Sequence, residues 1–96
     1  MAFKVVISRN AETEISIAYD YYARFSKSAV MSFRKQLIYS YKKIQQNPFF
    51  EIRYLDIRAL PIRKYPYILF FRVNELTKTV YILSVFCTHQ NPEKYP

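Results

Sequence analysis

Few side chains in this sequence are equipped for chemistry. His89 is its single histidine, and an imidazole that titrates near neutrality suits a general acid or base. The plainer reading is a surface or hydrogen-bonding histidine at the end of a strand. Arg72 lies in the run YILFFRVN, where alternation turns it to one side of a sheet, either as a recognition residue or as a rim arginine over aromatic neighbours. Arg58, Arg63 and Lys64 crowd the run RALPIRK. They either charge a strand edge against aggregation or pair with an acidic partner. The run Tyr19, Asp20, Tyr21, Tyr22 offers a stacking platform for bases, yet helical spacing assigns Tyr19 and Tyr22 to a core stripe. Cys87 has no second cysteine to pair with and reads as a buried, inert thiol. One Cys and one His do not make a structural zinc site, so neither a metal nor a cofactor is expected.

The elements that position these residues must fit into 96 residues, which is enough for one small domain spanning 1–96. Apolar residues make up 51% of the chain, with ten Tyr and eight Phe but no Trp and no Gly. Tight turns are therefore expected to use Asn, Asp, Ser, Thr or Pro. The net charge of +8 favours acidic partners, whether nucleic acid or protein. It is spread over the chain: residues 1–50 carry eight bases and three acids, and residues 51–96 carry seven and four. No apolar run approaches the roughly 20 residues that span a bilayer, and the N-terminus lacks the apolar core of a signal peptide. A cytoplasmic protein without membrane contact is the expectation.

Residues 3–8 put Phe3, Val5 and Ile7 on one face and predict a short first strand. A helix follows, capped by Ser8 or Asn10, with Ala11, Ile15, Ala18, Tyr19 and Tyr22 at helical spacing and an end near Phe25. Ser28 is expected to cap a second helix with the stripe Ala29, Phe33, Leu37, Tyr41 and Ile44, stopped by Asn47-Pro48. The short connection implies an antiparallel helical hairpin. Beyond Asp56 the period falls towards two, which predicts strands near 57–63, 67–74 and 79–88, the last two joined through NELTKT. Pro61 and Pro66 mark the first of these as an edge or a bent strand. The tail HQNPEKYP reads as loop. The fold class is α+β: a strand, a helical hairpin, then a three-stranded antiparallel sheet.

Both faces of the last two strands are apolar. Tyr67, Leu69, Phe71 and Val73, with Tyr81, Leu83, Val85 and Cys87, are expected to pack under the hairpin. The opposite face then carries Ile68, Phe70, Arg72, Val80, Ile82, Ser84, Phe86 and Thr88. An exposed apolar face rimmed by basic residues marks a partner site. Arg58, Arg63, Lys64, Ile68, Phe70, Arg72 and Phe86 are the partner-binding candidates. A sheet that curls over itself, or a homodimer, is the alternative.

This order of elements, with particular motifs, resembles the ParE/RelE superfamily of bacterial type II toxins. VVISRNAETEISIAYDYY is similar to the family's opening strand and first helix, and QQNPFF to the stop after its second helix. IRALPIRKYPYILFFRV is similar to its strand pair, and FCTHQNPEKY to its end. The resemblance covers nearly the whole chain. It implies a cognate acidic antitoxin protein whose disordered, amphipathic segment folds over the exposed sheet face or the helical hairpin, giving a toxin-antitoxin hetero-oligomer.

The superfamily divides by target. RelE-like members are described as ribosome-dependent messenger ribonucleases, a chemistry that needs a base or oriented 2′-hydroxyl, cations at the phosphate and an acid. Ile68, Ala59, Pro61 and Thr88 stand where such members carry cationic residues. KYPYILFFRV is closer to the ParE branch, which is associated with poisoning DNA gyrase by binding, although Gln90 precedes Asn91-Pro92 where many relatives have arginine. A plasmid-stabilisation type toxin that binds gyrase is therefore expected. The alternative is a ribosome-dependent endoribonuclease whose catalytic candidates are His89, Arg72, Arg63 and Tyr95. A non-toxic basic nucleic-acid module would instead bind duplex DNA with steep salt dependence.

Overall fold

A computed structural model describes residues 2–49 and 52–89, with residues 52–54 described by their backbone. The order is β1 (Lys4–Ile7), α1 (Arg9–Ala23), α2 (Lys27–Gln46), β2 (Ile52–Tyr54), β3 (Ile57–Pro61), β4 (Tyr67–Asn74) and β5 (Thr79–Cys87). The expected antiparallel unit β3-β4-β5 is present and is extended at both sides, giving the sheet order β1-β5-β4-β3-β2 with β1 parallel to β5.

Local chemistry sets the helix boundaries. Ser8 is extended and its Oγ accepts the Ala11 N–H at 3.1 Å, which starts α1. The second helix starts at Ser26, two residues before the expected Ser28. Ser26 adopts the extended geometry of a cap (φ −174°, ψ 162°) and its Oγ accepts from Ala29 N at 3.0 Å. Ser28 is already inside the first turn. The helix ends at Asn47, where the following Pro48 holds the backbone extended.

Of the two readings of its prolines, an edge or a bent strand, β3 is an edge only in part, since β2 covers its beginning. β2 pairs with Ile57 and Arg58 and goes no further, so Pro61 falls where no N–H is needed on that side. The β2 segment was missed because three residues are too few for a period.

The main core lies between the helices and one face of the sheet. Phe33 is its hub: its ring stacks on Tyr22 at 5.0 Å and meets Tyr19, Tyr65 and Tyr67 at 5.7, 5.2 and 5.3 Å. The expected stripes supply the rest, with Ala11, Ala18, Leu37 and Ile44 buried against Leu69 and Phe71.

β5 departs from simple alternation. Phe70 pairs with Ser84 but Phe71 pairs with Ile82, so Leu83 is an extra, bulged residue. The bulge reverses the phase of the strand. Val80 and Ile82, expected on the far face, enter the helix-side core with Val85, whereas Tyr81 is exposed and Leu83 packs on the far side. That far face is not an open patch. Phe70 (0% exposed) and Phe86 (2%) are buried with Ile57, their rings edge-on at 6.2 Å, and Ala59, Ile68 and Leu83 pack around them.

Turns without glycine carry a conformational cost. Among the described residues the left-handed positions fall on Leu55 (φ 51°), Lys64 (φ 70°) and Lys78 (φ 53°), none of them an expected turn residue. In the β4–β5 turn, Asn74 Oδ1 accepts from the backbone N–H of Leu76 and Thr77, both at 3.1 Å.

Candidate functional site

The bulge is tied to the start of α1 by a polar network that no local motif announces. Glu14 Oε1 accepts from Ser84 Oγ at 2.8 Å, Val85 N at 3.0 Å and Asn10 Nδ2 at 3.2 Å. Leu83 O in turn accepts from Ser8 Oγ at 3.1 Å and Asn10 Nδ2 at 3.3 Å. The first helix therefore sets where β5 breaks its alternation and which side chains face the hairpin.

The catalytic candidates are not brought to one point. Arg72 is exposed on β4, opposite Tyr81, and its Nε donates to Asp56 Oδ1 at 3.0 Å. His89 follows β5 at the other end of the sheet, where Cys87 pairs with Tyr67. Five residues of strand separate Tyr67 from Arg72, a span of roughly 16 Å. Arg72 and His89 therefore stand at opposite ends of the β4–β5 pair. Arg63 lies in the β3–β4 turn but lines a different groove from His89. Tyr95, and Gln90 with Asn91-Pro92, lie outside the described residues.

The partner-binding candidates also separate. Arg58 is half-buried, with its guanidinium over the Phe49 ring at 5.4 Å, and Lys64 is exposed beside Arg63. Ile68, Phe70 and Phe86 belong to the far-side cluster rather than to an open surface.

Two concave surfaces stand out instead, of opposite character. One runs along the outer face of α2, with a volume of about 920 Å³. Its cations are Arg34, Lys35, Lys42 and Arg63, interleaved with the exposed apolar side chains of Met31, Ile38 and Tyr39, and no Asp or Glu lines it among the described residues. Gln36 Oε1 is buried at this groove without a hydrogen-bond partner among the described residues. Residues 31, 34, 35, 38, 39 and 42 step by three, one, three, one and three, which is a second helical stripe. Sequence reading offered the helical hairpin as one place for a partner segment but did not single out this stripe.

The other cleft, of about 450 Å³, lies between α1 and the adjoining ends of β4 and β5. It is lined by aromatic and apolar side chains, one carboxylate from Glu14, and His89. Burial pushes the Tyr67 phenol up to about 12, helped by the neighbouring Tyr22 and Cys87. The Tyr22 phenol is also raised, first by burial and then by Tyr65.

No group of three or more His, Cys, Asp or Glu among the described residues is arranged to hold a metal ion. No described helix is long and apolar enough to cross a membrane.

Comparison with known proteins follows the same architecture. A chain of the chromosomal ParDE toxin-antitoxin system from P. aeruginosa superposes with a TM-score of 0.75 at 20% identity, covering 90% of this chain and 96% of that one. The E. coli toxin RelE, as a double arginine-to-alanine mutant in the free state, gives 0.68 at 22% identity, covering 97% and 90%. The toxin-antitoxin complex RelBE2 from Mycobacterium tuberculosis gives 0.59 at 13% identity, covering 91% and 99%. No curated protein matches the chain by sequence. Residues 5–92 match the family described as the ParE toxin of the type II toxin-antitoxin system parDE. The strand, helical pair and mixed sheet, together with a match over nearly the full length, place this chain in the ParE toxin family of type II toxin-antitoxin systems.

Proposed function

We propose that the chain is a cytoplasmic toxin that arrests growth by binding and poisoning a target, DNA gyrase in the first instance, without bond chemistry of its own. A cognate acidic antitoxin neutralises it by laying an amphipathic segment in the groove along α2. The observation that carries this reading is the groove itself: among the described residues it has four cations and no acid, interleaved with exposed Met31, Ile38 and Tyr39. A helix or extended segment with apolar residues on one side and carboxylates on the other matches that pattern in both charge and hydropathy. The separation of Arg72 from His89 supports a binding mode of toxicity, because phosphate cleavage needs its cation and its acid within a few ångströms of one another.

The test is expression of the chain alone, followed by two assays on purified protein. Growth arrest with trapped gyrase cleavage complexes is the expected result. Site-specific cuts in messenger RNA on translating ribosomes, with gyrase untouched, would replace this reading with an endoribonuclease. Reversing two charges in the groove (Arg34→Glu with Lys42→Glu) should weaken a co-expressed antitoxin at least tenfold and leave growth arrest intact.

A further inference from the structure

The aromatic cleft on α1 has the opposite chemistry to the α2 groove and calls for a different occupant. Ile17 (62% exposed) and Tyr21 (48%) stand four apart on α1, and Phe25 (67%), in the turn just after the helix, lies against Tyr21, so three large apolar side chains are exposed side by side. Tyr21 is edge-on to both Tyr22 at 5.1 Å and Phe25 at 5.4 Å, and Tyr22 is edge-on to Tyr67 at 6.5 Å. The faces of these rings carry the negative side of the aromatic quadrupole. Glu14 adds a carboxylate. Its Oε1 is occupied three times over by the bulge network, while its Oε2 accepts no hydrogen bond among the described residues. In a chain of net charge +8, no Lys or Arg lines this cleft among the described residues.

We infer that this cleft docks a partner segment in which one arginine or lysine is flanked by apolar residues, the cation seated against the tyrosine rings and Glu14 and the flanks lying along Ile17 and Phe25. Charge complementarity selects this occupant. An acidic segment such as the one proposed for α2 would set its carboxylates against Glu14, and a second copy of this chain would bring another +8 to the contact. Aromatic faces and a carboxylate with an unused oxygen both favour a cation, and about 450 Å³ accommodates one guanidinium-bearing side chain with its neighbours. The two grooves thus sort partner segments by charge, which leaves the α1 cleft open when an acidic segment occupies α2.

The experiment is an NMR titration of the ¹⁵N-labelled full chain with three short apolar peptides that differ at one central residue: arginine, its uncharged isostere citrulline, or glutamate. The expected result is shift changes confined to residues 14–25, Tyr67, Cys87 and His89. The arginine peptide should bind on the order of tenfold more tightly than the citrulline peptide. Glu14→Gln keeps an acceptor for Ser84 and Val85 and should erase most of that preference. Phe25→Ala, at an exposed position that leaves the core unaltered, should weaken all three peptides alike. Equal binding of the arginine and citrulline peptides, preference for the glutamate peptide, or an absence of shifts at these residues would overturn the inference. So would sedimentation of a dimer that Phe25→Ala dissociates, because the cleft would then belong to a second copy. None of these outcomes depends on what the toxin poisons.

Discussion

Replacing Glu14 by alanine should be among the most damaging single changes outside the apolar core. The side chain is only partly buried, but its Oε1 serves two donors from buried residues: the Val85 N–H at 3.0 Å and the Ser84 hydroxyl at 2.8 Å. Glu14→Ala strands the Val85 N–H, at about 1–3 kcal/mol for an unsatisfied buried donor, and forfeits the charge-assisted bond from Ser84, at about 1 kcal/mol more. Because the two donors share one acceptor, the losses do not simply add, and about 2–4 kcal/mol is the expected total. For a domain of this size that corresponds to a fall in Tm of about 10–25 °C. Urea unfolding, with the slope unchanged and the midpoint lowered, is the direct measurement. Ser84→Ala removes one donor with its need and should cost no more than about 1 kcal/mol, and Glu14→Gln should lose less than half of what alanine loses. If Glu14→Ala stays within about 0.5 kcal/mol of the parent, the bulge holds without the carboxylate and the role given to α1 in phasing β5 is wrong.

Four further outcomes test the fold. Ser26→Ala should destabilise by about 1 kcal/mol and Ser28→Ala by almost nothing in thermal melts, since only Ser26 caps α2. Tyr41 buries a hydroxyl that has no partner among the described residues. Tyr41→Phe should therefore raise stability, by about 1 kcal/mol in urea unfolding. Lys78→Gly, at φ 53°, should stabilise by up to about 1 kcal/mol, where the same change at Lys42 within α2 should cost about that much. The Tyr67 phenol ionises at about 12 in the folded protein against an ordinary value of 10.0. The stability this shift provides is complete below pH 10.0 and is lost as the pH rises towards about 12, so alkaline melts should show a decline that Tyr67→Phe flattens.

Much of this could be read directly from the residues. The helix stripes were legible because a period near 3.6 is local: Phe33, Leu37 and Ile44 had to share a face wherever that face was buried. The β4 pattern was legible for the same reason, with Tyr67, Leu69 and Phe71 on the helix side as alternation required. The choice between Ser26 and Ser28 was not, because both can cap and only the extended φ and ψ of Ser26 decide.

The site was less legible than the fold. The cations Arg58, Arg63, Lys64 and Arg72 were easily found as charges, but a charge run along a chain does not reveal which other elements share its surface. Arg63 became part of a groove only when the β3–β4 turn met α2, and Arg72 became half of an exposed pair, at 48% against 71% exposure, only when the turn after β2 brought Asp56 beside it. Phe70 and Phe86 looked like a partner surface because alternation says which way a side chain points and not what lies over it.

The sequence alone determined the helix faces, which rest on neighbours within a few residues of one another, and the α+β class and the resemblance to ParE toxins, which rest on the order of such local patterns along the chain. Tertiary structure alone decided the phase of β5. Both of that strand's faces are apolar, so a one-residue bulge leaves no trace in its pattern. What places the bulge at Leu83 is Ser8, 75 residues away in sequence, and Glu14, 70 and 71 residues from Ser84 and Val85. Hydrogen bonds at that separation exist only after the chain has closed.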